Sequence, residues 1–146
     1  KSELLPLADL ITPNLPEAAA LTGSLVPTDS ASMTLMVDKL RQLKMKTVLL
    51  KGGHLEEDEN STDFLIFADR LEVLTSPRIH TRNTHGTGCT LSSAIASYLA
   101  QGNDLLHAVQ LGKKYITQAI EHADELQIGR GHGPVNHFFN GHANVR

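Results

Sequence analysis

Residues 47–50, Thr-Val-Leu-Leu, form a β-rich run without polar alternation, closed by Lys51-Gly52-Gly53. A strand that alternates can leave one face in water, whereas a continuous apolar run belongs to a strand covered on both faces. The stretches before it supply the cover. Asn14 suits an N-cap, Pro16 and Glu17 suit a first helical turn, and Gly23 suits its stop. Ser30 or Ser32 is expected to cap a second helix, in which Leu35, Met36, Leu40 and Leu43 recur at helical spacing while Asp38, Lys39 and Arg41 face out. Helices alternating with covered strands predict an α/β layer structure with a mostly parallel sheet flanked by helices. Sheets of that kind take ligands beyond the carboxyl ends of their strands.

The remaining segments fill out one α/β unit over residues 1–146. Leu10-Ile11-Thr12 is a short strand candidate, and the acidic residues 56–60 read as an exposed loop. Residues 62–67 and 71–75 flank Asp69-Arg70 as a β-hairpin. Ile79-His80-Thr81 is expected as a third short strand leading into a glycine loop. A helix from Thr90 to Ala100 stops at Gly102, and Asp104 caps a last helix reaching about Glu125. In that helix Leu105, Ala108, Val109, Leu111, Ile116, Ala119 and Ile120 form the expected inner stripe. Residues 128–146, rich in Gly and His, read as a loop tail.

The chemistry gathers at Asn83-Thr84-His85-Gly86-Thr87-Gly88-Cys89-Thr90. A helix start presents unpaired backbone N–H groups and the positive end of the dipole, so it attracts anions. Gly86 and Gly88 let the backbone approach such an anion closely. The chain's single cysteine stands at the junction, where the same dipole would favour a thiolate. An anion cradle beside a titratable group is what phosphoryl transfer needs. The loop is neither a P-loop, since the Gly-Lys-Ser/Thr ending is missing, nor a dinucleotide fingerprint, since Leu91 stands where the third glycine belongs. On the residues alone, a plain helix cap with Cys89 as a small hydrophobe stays open.

Composition removes other classes. A net charge of −3 with no lysine or arginine cluster argues against nucleic-acid binding. No apolar run approaches the length of a membrane span. One cysteine cannot form an internal disulfide, which fits a reducing cytoplasm. The eight histidines show no recognised zinc spacing.

Four segments occur in order: Thr12-Pro13-Asn14-Leu15-Pro16-Glu17, Val48-Leu49-Leu50-Lys51-Gly52-Gly53-His54, the glycine loop, and Gly131-His132-Gly133-Pro134-Val135-Asn136-His137-Phe138-Phe139. Together they resemble the hydroxymethylpyrimidine/phosphomethylpyrimidine kinases of thiamine biosynthesis, in the ribokinase superfamily. Cys89 after Gly-Thr-Gly, where most of the superfamily carries Asp, points to the pyrimidine branch. The resemblance implies a ribokinase-like fold and ATP- and Mg²⁺-dependent phosphorylation of hydroxymethylpyrimidine and then of its monophosphate. It also implies that the chain is about the C-terminal half of a kinase twice as long, because its start corresponds to the middle of such a polypeptide. Such a half is expected to self-associate or to pair with the missing N-terminal half. Pyridoxine/pyridoxal kinase is the near alternative, and a non-catalytic nucleotide-binding fragment without a substrate half is the distant one.

Roles follow from chemistry and resemblance together. The backbone of Gly86, Thr87, Gly88 and Cys89 is expected to hold the migrating phosphate. Cys89 takes the place of the superfamily's catalytic aspartate, as a base toward the substrate hydroxyl or as a neutral group that positions it. Asn14 and Glu17 match the superfamily's Asn-x-x-Glu element, whose glutamate is associated with Mg²⁺; an ordinary capped first turn is the plain alternative. Lys51, at a strand end, can reach nucleotide phosphates, or it merely snorkels. Thr84 adds a hydroxyl to the phosphate region. The strand-end positions of residues 12–14, 51–52 and 84–89 suggest one shared ligand face. The Gly-His tail is expected to close the structure near the site without taking part in catalysis.

Overall fold

The computed structural model describes residues 3–52 and 59–141. They form two compact units, Lys1–Arg78 and Ile79–Arg146.

The first unit begins with a 3-10 turn at Leu5–Leu7, followed by an extended segment and helix α1, Leu15–Thr22. Asn14 caps α1, and Gly23, left-handed at φ 66°, ends it, both as the sequence predicts. Helix α2 spans Ser30–Gln42. Its N-cap is Asp29, not Ser30 or Ser32: the Asp29 carboxylate accepts the Ser32 N–H at 2.7 Å, and Ser32 reciprocates by accepting the Asp29 N–H at 3.1 Å. The buried stripe is Met33, Met36, Val37 and Leu40, and Leu35, two residues past Met33 on the far side, is 63% exposed.

The bonds from Ser32, backbone N–H first and hydroxyl second, hold the Asp29 carboxyl below its ordinary value. A depressed folded-state value means that the contribution is present above the unfolded carboxylate range, about pH 4, and is lost as pH falls through the folded value. In urea unfolding, Asp29→Ala should therefore differ most from the parent above about pH 4, and the two should converge in stronger acid.

Strand β1, Val48–Lys51, lies between two partners. On one side residues 11–14 run parallel to it, with Leu49 N–H bonded to Ile11 O at 2.8 Å and Lys51 N–H to Pro13 O at 2.9 Å. On the other side are β2, Asn60–Ile66, and then β3, Leu71–Pro77. Val48, Leu49 and Leu50 are buried, as an apolar run without alternation requires. Leu15, Ala18, Met36 and Leu40 share one buried cluster with Val48 and Leu50.

The named strands pair antiparallel, which corrects the expectation of a mostly parallel sheet. The reason is local: β2 and β3 are joined by a turn of residues 67–70, closed by Phe67 N–H on Arg70 O at 3.0 Å, and so short a link can only reverse the chain. Among the described residues, parallel pairing in this unit is confined to residues 11–14 against β1. Of the expected acidic loop, residues 56–58 lie outside the described residues, and Asn60 already belongs to β2.

In the second unit Ile79-His80-Thr81 forms no strand. The Thr81 hydroxyl accepts the Asn83 N–H at 3.0 Å, a local bond, and also bonds the distant Asp124 carboxylate, so side-chain bonds replace a ladder there. Helix α3 is Thr87–Ala100, starting three residues before the expected Thr90, and α4 is Leu105–Glu121, capped by Asp104 as expected. Gly112 of α4 lies under Ile95 so closely that a Cβ would stand 2.7 Å from its Cγ1. The inner stripe of α4 is Ala108, Val109, Gly112, Lys113, Ile116 and Ala119, with Leu105, Leu111 and Ile120 half-buried. The α-helix stops at Glu121, and a 3-10 turn, Ala123–Glu125, follows. Within the tail, Val135 and Asn136 are buried, and Asn136 N–H bonds Ala119 O at 2.9 Å near the end of α4.

Candidate active site

Gly86 is the N-cap of α3 with φ 85°, a left-handed conformation that any other residue would find strained. It turns the chain so that residues 87–89 form the first turn of the helix itself. Thr84, exposed, anchors this turn through its carbonyl, which accepts the Thr87 hydroxyl at 2.6 Å and the Thr87 N–H at 3.3 Å. Thr90 N–H then makes the first helical bond, to Gly86 O at 2.9 Å. Among the described residues, the Gly88 and Cys89 amides have no acceptor. Two of the amides expected in the cradle are thus available to an anion, while that of Thr87 is already engaged.

Cys89 is a free, exposed cysteine. With Thr90, Ser93, Ser97, Tyr115 and His137 it lines a cleft of about 600 Å³ within the second unit. The Thr90 hydroxyl, buried, lies 2.9 Å from His137 Nε2. The loop before the cradle is stitched to the tail. His85 N–H bonds Gly133 O at 3.0 Å, and Val135 N–H bonds His85 O at 3.3 Å. The Asn83 side chain accepts the Gly133 N–H at 3.0 Å and donates to Asp124 at 2.9 Å and to Ala123 O at 3.3 Å. The described part of the tail is thereby a closure on the glycine loop, as expected.

Asn83 was not visible as a structural hub from the sequence, because its partners lie 40 to 50 positions away. Removing its side chain leaves the half-buried Gly133 amide bond unmade and two further bonds lost. Asn83→Ala is therefore expected to destabilise the second unit by about 2 kcal/mol, measurable as a lowered urea midpoint, with faster exchange of the Gly133 and Val135 amides.

The first unit holds the other predicted residues. Asn14 Oδ1 accepts the Glu17 N–H and Glu17 Oε2 accepts the Asn14 N–H, both at 2.8 Å, a complete capping box. Asn14 also bridges in parallel to Lys51 at the end of β1. Asn14, Glu17 and Lys51 therefore stand together where two parallel segments end. The capping alternative holds as a fact, and it leaves the exposed Glu17 carboxylate with a second oxygen for another partner. Asp63 was missed. It is buried, sits opposite Lys51 in the register and accepts the Gly52 N–H at 3.1 Å. Alternation along β2 gives the signal, because Asp63 shares a face with Leu65.

The family profile described as phosphomethylpyrimidine kinase matches residues 1–136. The chain belongs to that family. As a phosphomethylpyrimidine kinase family member it is 50% identical over 136 residues to the hydroxymethylpyrimidine/phosphomethylpyrimidine kinase of Rhizobium meliloti, covering 93% of this chain and 51% of the relative. It is 52% identical over 137 residues to the thiamine biosynthesis bifunctional protein ThiED of Geobacter sulfurreducens, covering 94% of this chain and 27% of that one. The ADP complex of Bacillus subtilis pyridoxal kinase superposes with a TM-score of 0.86 at 34% identity, over 95% of this chain and 53% of that one. The ribokinase-like α/β fold is therefore established. This kinase-family chain spans about half the length of the first of these relatives.

Proposed function

We propose that the chain serves ATP-dependent phosphorylation of hydroxymethylpyrimidine and its monophosphate in thiamine biosynthesis, and that the first turn of α3 grips the transferring phosphate. The observation that carries this is the pair of unengaged amides at Gly88 and Cys89, opening a 14-residue helix beside the single cysteine. Preorganised N–H donors of this kind are worth most where negative charge develops. Lys51 brings a positive point charge to the nucleotide phosphates, and Asn14 fixes Glu17 beside it. Thr84 holds the loop through its carbonyl. The chemistry of Glu17, one exposed carboxylate with an uncommitted oxygen, fits Mg²⁺, which keeps several waters and needs few protein oxygens. Bound there, the ion would neutralise phosphate charge. Cys89 takes the proton of the substrate hydroxyl as the phosphoryl group moves.

The pyrimidine substrate rests on the named sequence relatives, which favour it over pyridoxal. Among the described residues no helix is long and apolar enough to cross a membrane, and we read the setting as cytoplasmic. Exposed apolar side chains such as Leu4, Leu7 and Leu25 support self-association or pairing with an N-terminal half.

Titration of the protein with ADP, followed by amide shifts, tests the reading. Gly88 and Cys89 should move first and furthest, and ³¹P spectra should show transfer from ATP to hydroxymethylpyrimidine in a preparation containing both halves of the kinase. ADP binding that leaves those two amides unmoved would overturn it.

A further inference from the structure

We propose that His137 is a positioning residue for the first turn of α3, acting through the Thr90 hydroxyl; the inference rests on the reading of that turn as the phosphate cradle. A threonine inside a helix commonly bonds its hydroxyl back to the carbonyl four residues earlier. Here that carbonyl, of Gly86, receives the Thr90 amide, while the Thr90 hydroxyl is paired with His137 Nε2 at 2.9 Å. His137 is itself held. Tyr115 of α4 donates its hydroxyl to the His137 carbonyl at 2.9 Å. The residues just before it, Val135 and Asn136, are buried, and Pro134 bridges to His85. The brace thus joins the turn that carries the Gly88 and Cys89 amides to α4 and to the tail, one residue away from the cysteine. Cys89, Thr90, Tyr115 and His137 line the same cleft.

A buried hydroxyl that loses its partner must find another or bear the cost of desolvation. The nearest carbonyl four residues back is that of Gly86, and bonding it bends a helix. Loss of the brace therefore displaces the two amides on which an anion depends. The role is indirect, since His137 acts on the ligand only by fixing the turn.

The test uses this chain with ADP as probe and two pairs of variants. His137→Leu and Thr90→Val remove the hydrogen bond, whereas His137→Gln and Thr90→Ser retain one. The breaking variants should raise the Kd for ADP about tenfold and speed exchange of the Thr90 amide by a similar factor, since a small misplacement of binding groups is costly. The retaining variants should stay within about threefold of the parent, and the double variant should be no worse than either breaking single. A purely structural loss would show additive effects without rescue. Unchanged Thr90 exchange in Thr90→Val, which preserves the shape of the side chain, or additivity in the double variant, would overturn the inference. If the parent protein does not bind ADP, the kinase reading fails by itself, and Thr90 exchange still decides whether the brace exists.

Discussion

Gly52→Ala should lower the stability of the first unit by about 3 kcal/mol, the upper part of the range for overpacking a filled site. Gly52 follows the end of β1, and a Cβ built on it would lie 2.2 Å from the carbonyl oxygen of Thr62. That oxygen is backbone, in the middle strand of the sheet, with β1 on one side and β3 on the other. It cannot swing aside as the end of a flexible side chain can. Any retreat of residue 52 would also stretch the bond from its N–H to the buried Asp63 carboxylate. The same motion would pull on Lys51, which precedes it and bonds Pro13 O. Urea unfolding followed by circular dichroism provides the measurement. Gly131→Ala is the control, since nothing lies within 4 Å of its Cβ position and its backbone is not left-handed; it should change stability by no more than about 0.5 kcal/mol. Equal midpoints for the two variants would contradict the close approach of β1 and β2.

What the sequence made legible depended on how far each residue's partners lie along the chain. The Asn14 cap, the Gly23 stop and the Asp104 cap each answer to neighbours within four or five residues, and each stands where the pattern puts it. The continuous apolar character of β1 and the hairpin of β2 and β3 were likewise readable. Residues 79–81 misled because β-branched and apolar character is shared by strands and by extended linkers; the bond from Thr81 to Asp124, 43 positions on, decides between them. The start of α3 moved because Gly86 adopts a left-handed conformation, which lets Thr87-Gly88-Cys89 enter the helix despite a glycine at its second position. In α2 the buried stripe runs through Met33, Met36, Val37 and Leu40, and Leu35, turned about 100° from Met36 by the helical rotation per residue, points outward. Of the candidate site, the cradle, Cys89, Lys51 and the Asn14–Glu17 pair were visible as motifs. The supports were not. Asn83 and His137 carry no signature of their own, and their importance comes from bonds that span 40 to 50 positions.

In a preparation containing both halves of the kinase, and on the proposed reading, Cys89→Ala should reduce phosphoryl transfer by about a hundred- to ten-thousandfold, the span typical of a lost general base, while KM for ATP stays within about twofold. The separation of the two constants is the informative part. The Gly88 and Cys89 amides belong to the backbone and survive the substitution, so nucleotide grip should be retained; on the proposed reading only the group that receives the hydroxyl proton disappears. Cys89→Asp supplies a carboxylate at the position where the wider superfamily is expected to carry one, and should recover much of the loss. Cys89→Ser keeps a small polar group with little basicity and should remain near the alanine variant. A thiol that only positions the alcohol would give a different order, with Ser close to the parent and Asp no better than Ala. A structural cysteine would leave all three active, with losses below about tenfold and proportional to any drop in melting temperature. Because the chain has a single cysteine, alkylation offers an independent arm: a thiol reagent should inactivate the parent enzyme at the rate at which it labels Cys89, and bound ADP with the pyrimidine alcohol should slow both together. Labelling that left turnover intact would remove Cys89 from the reaction without bearing on the proposed amide cradle.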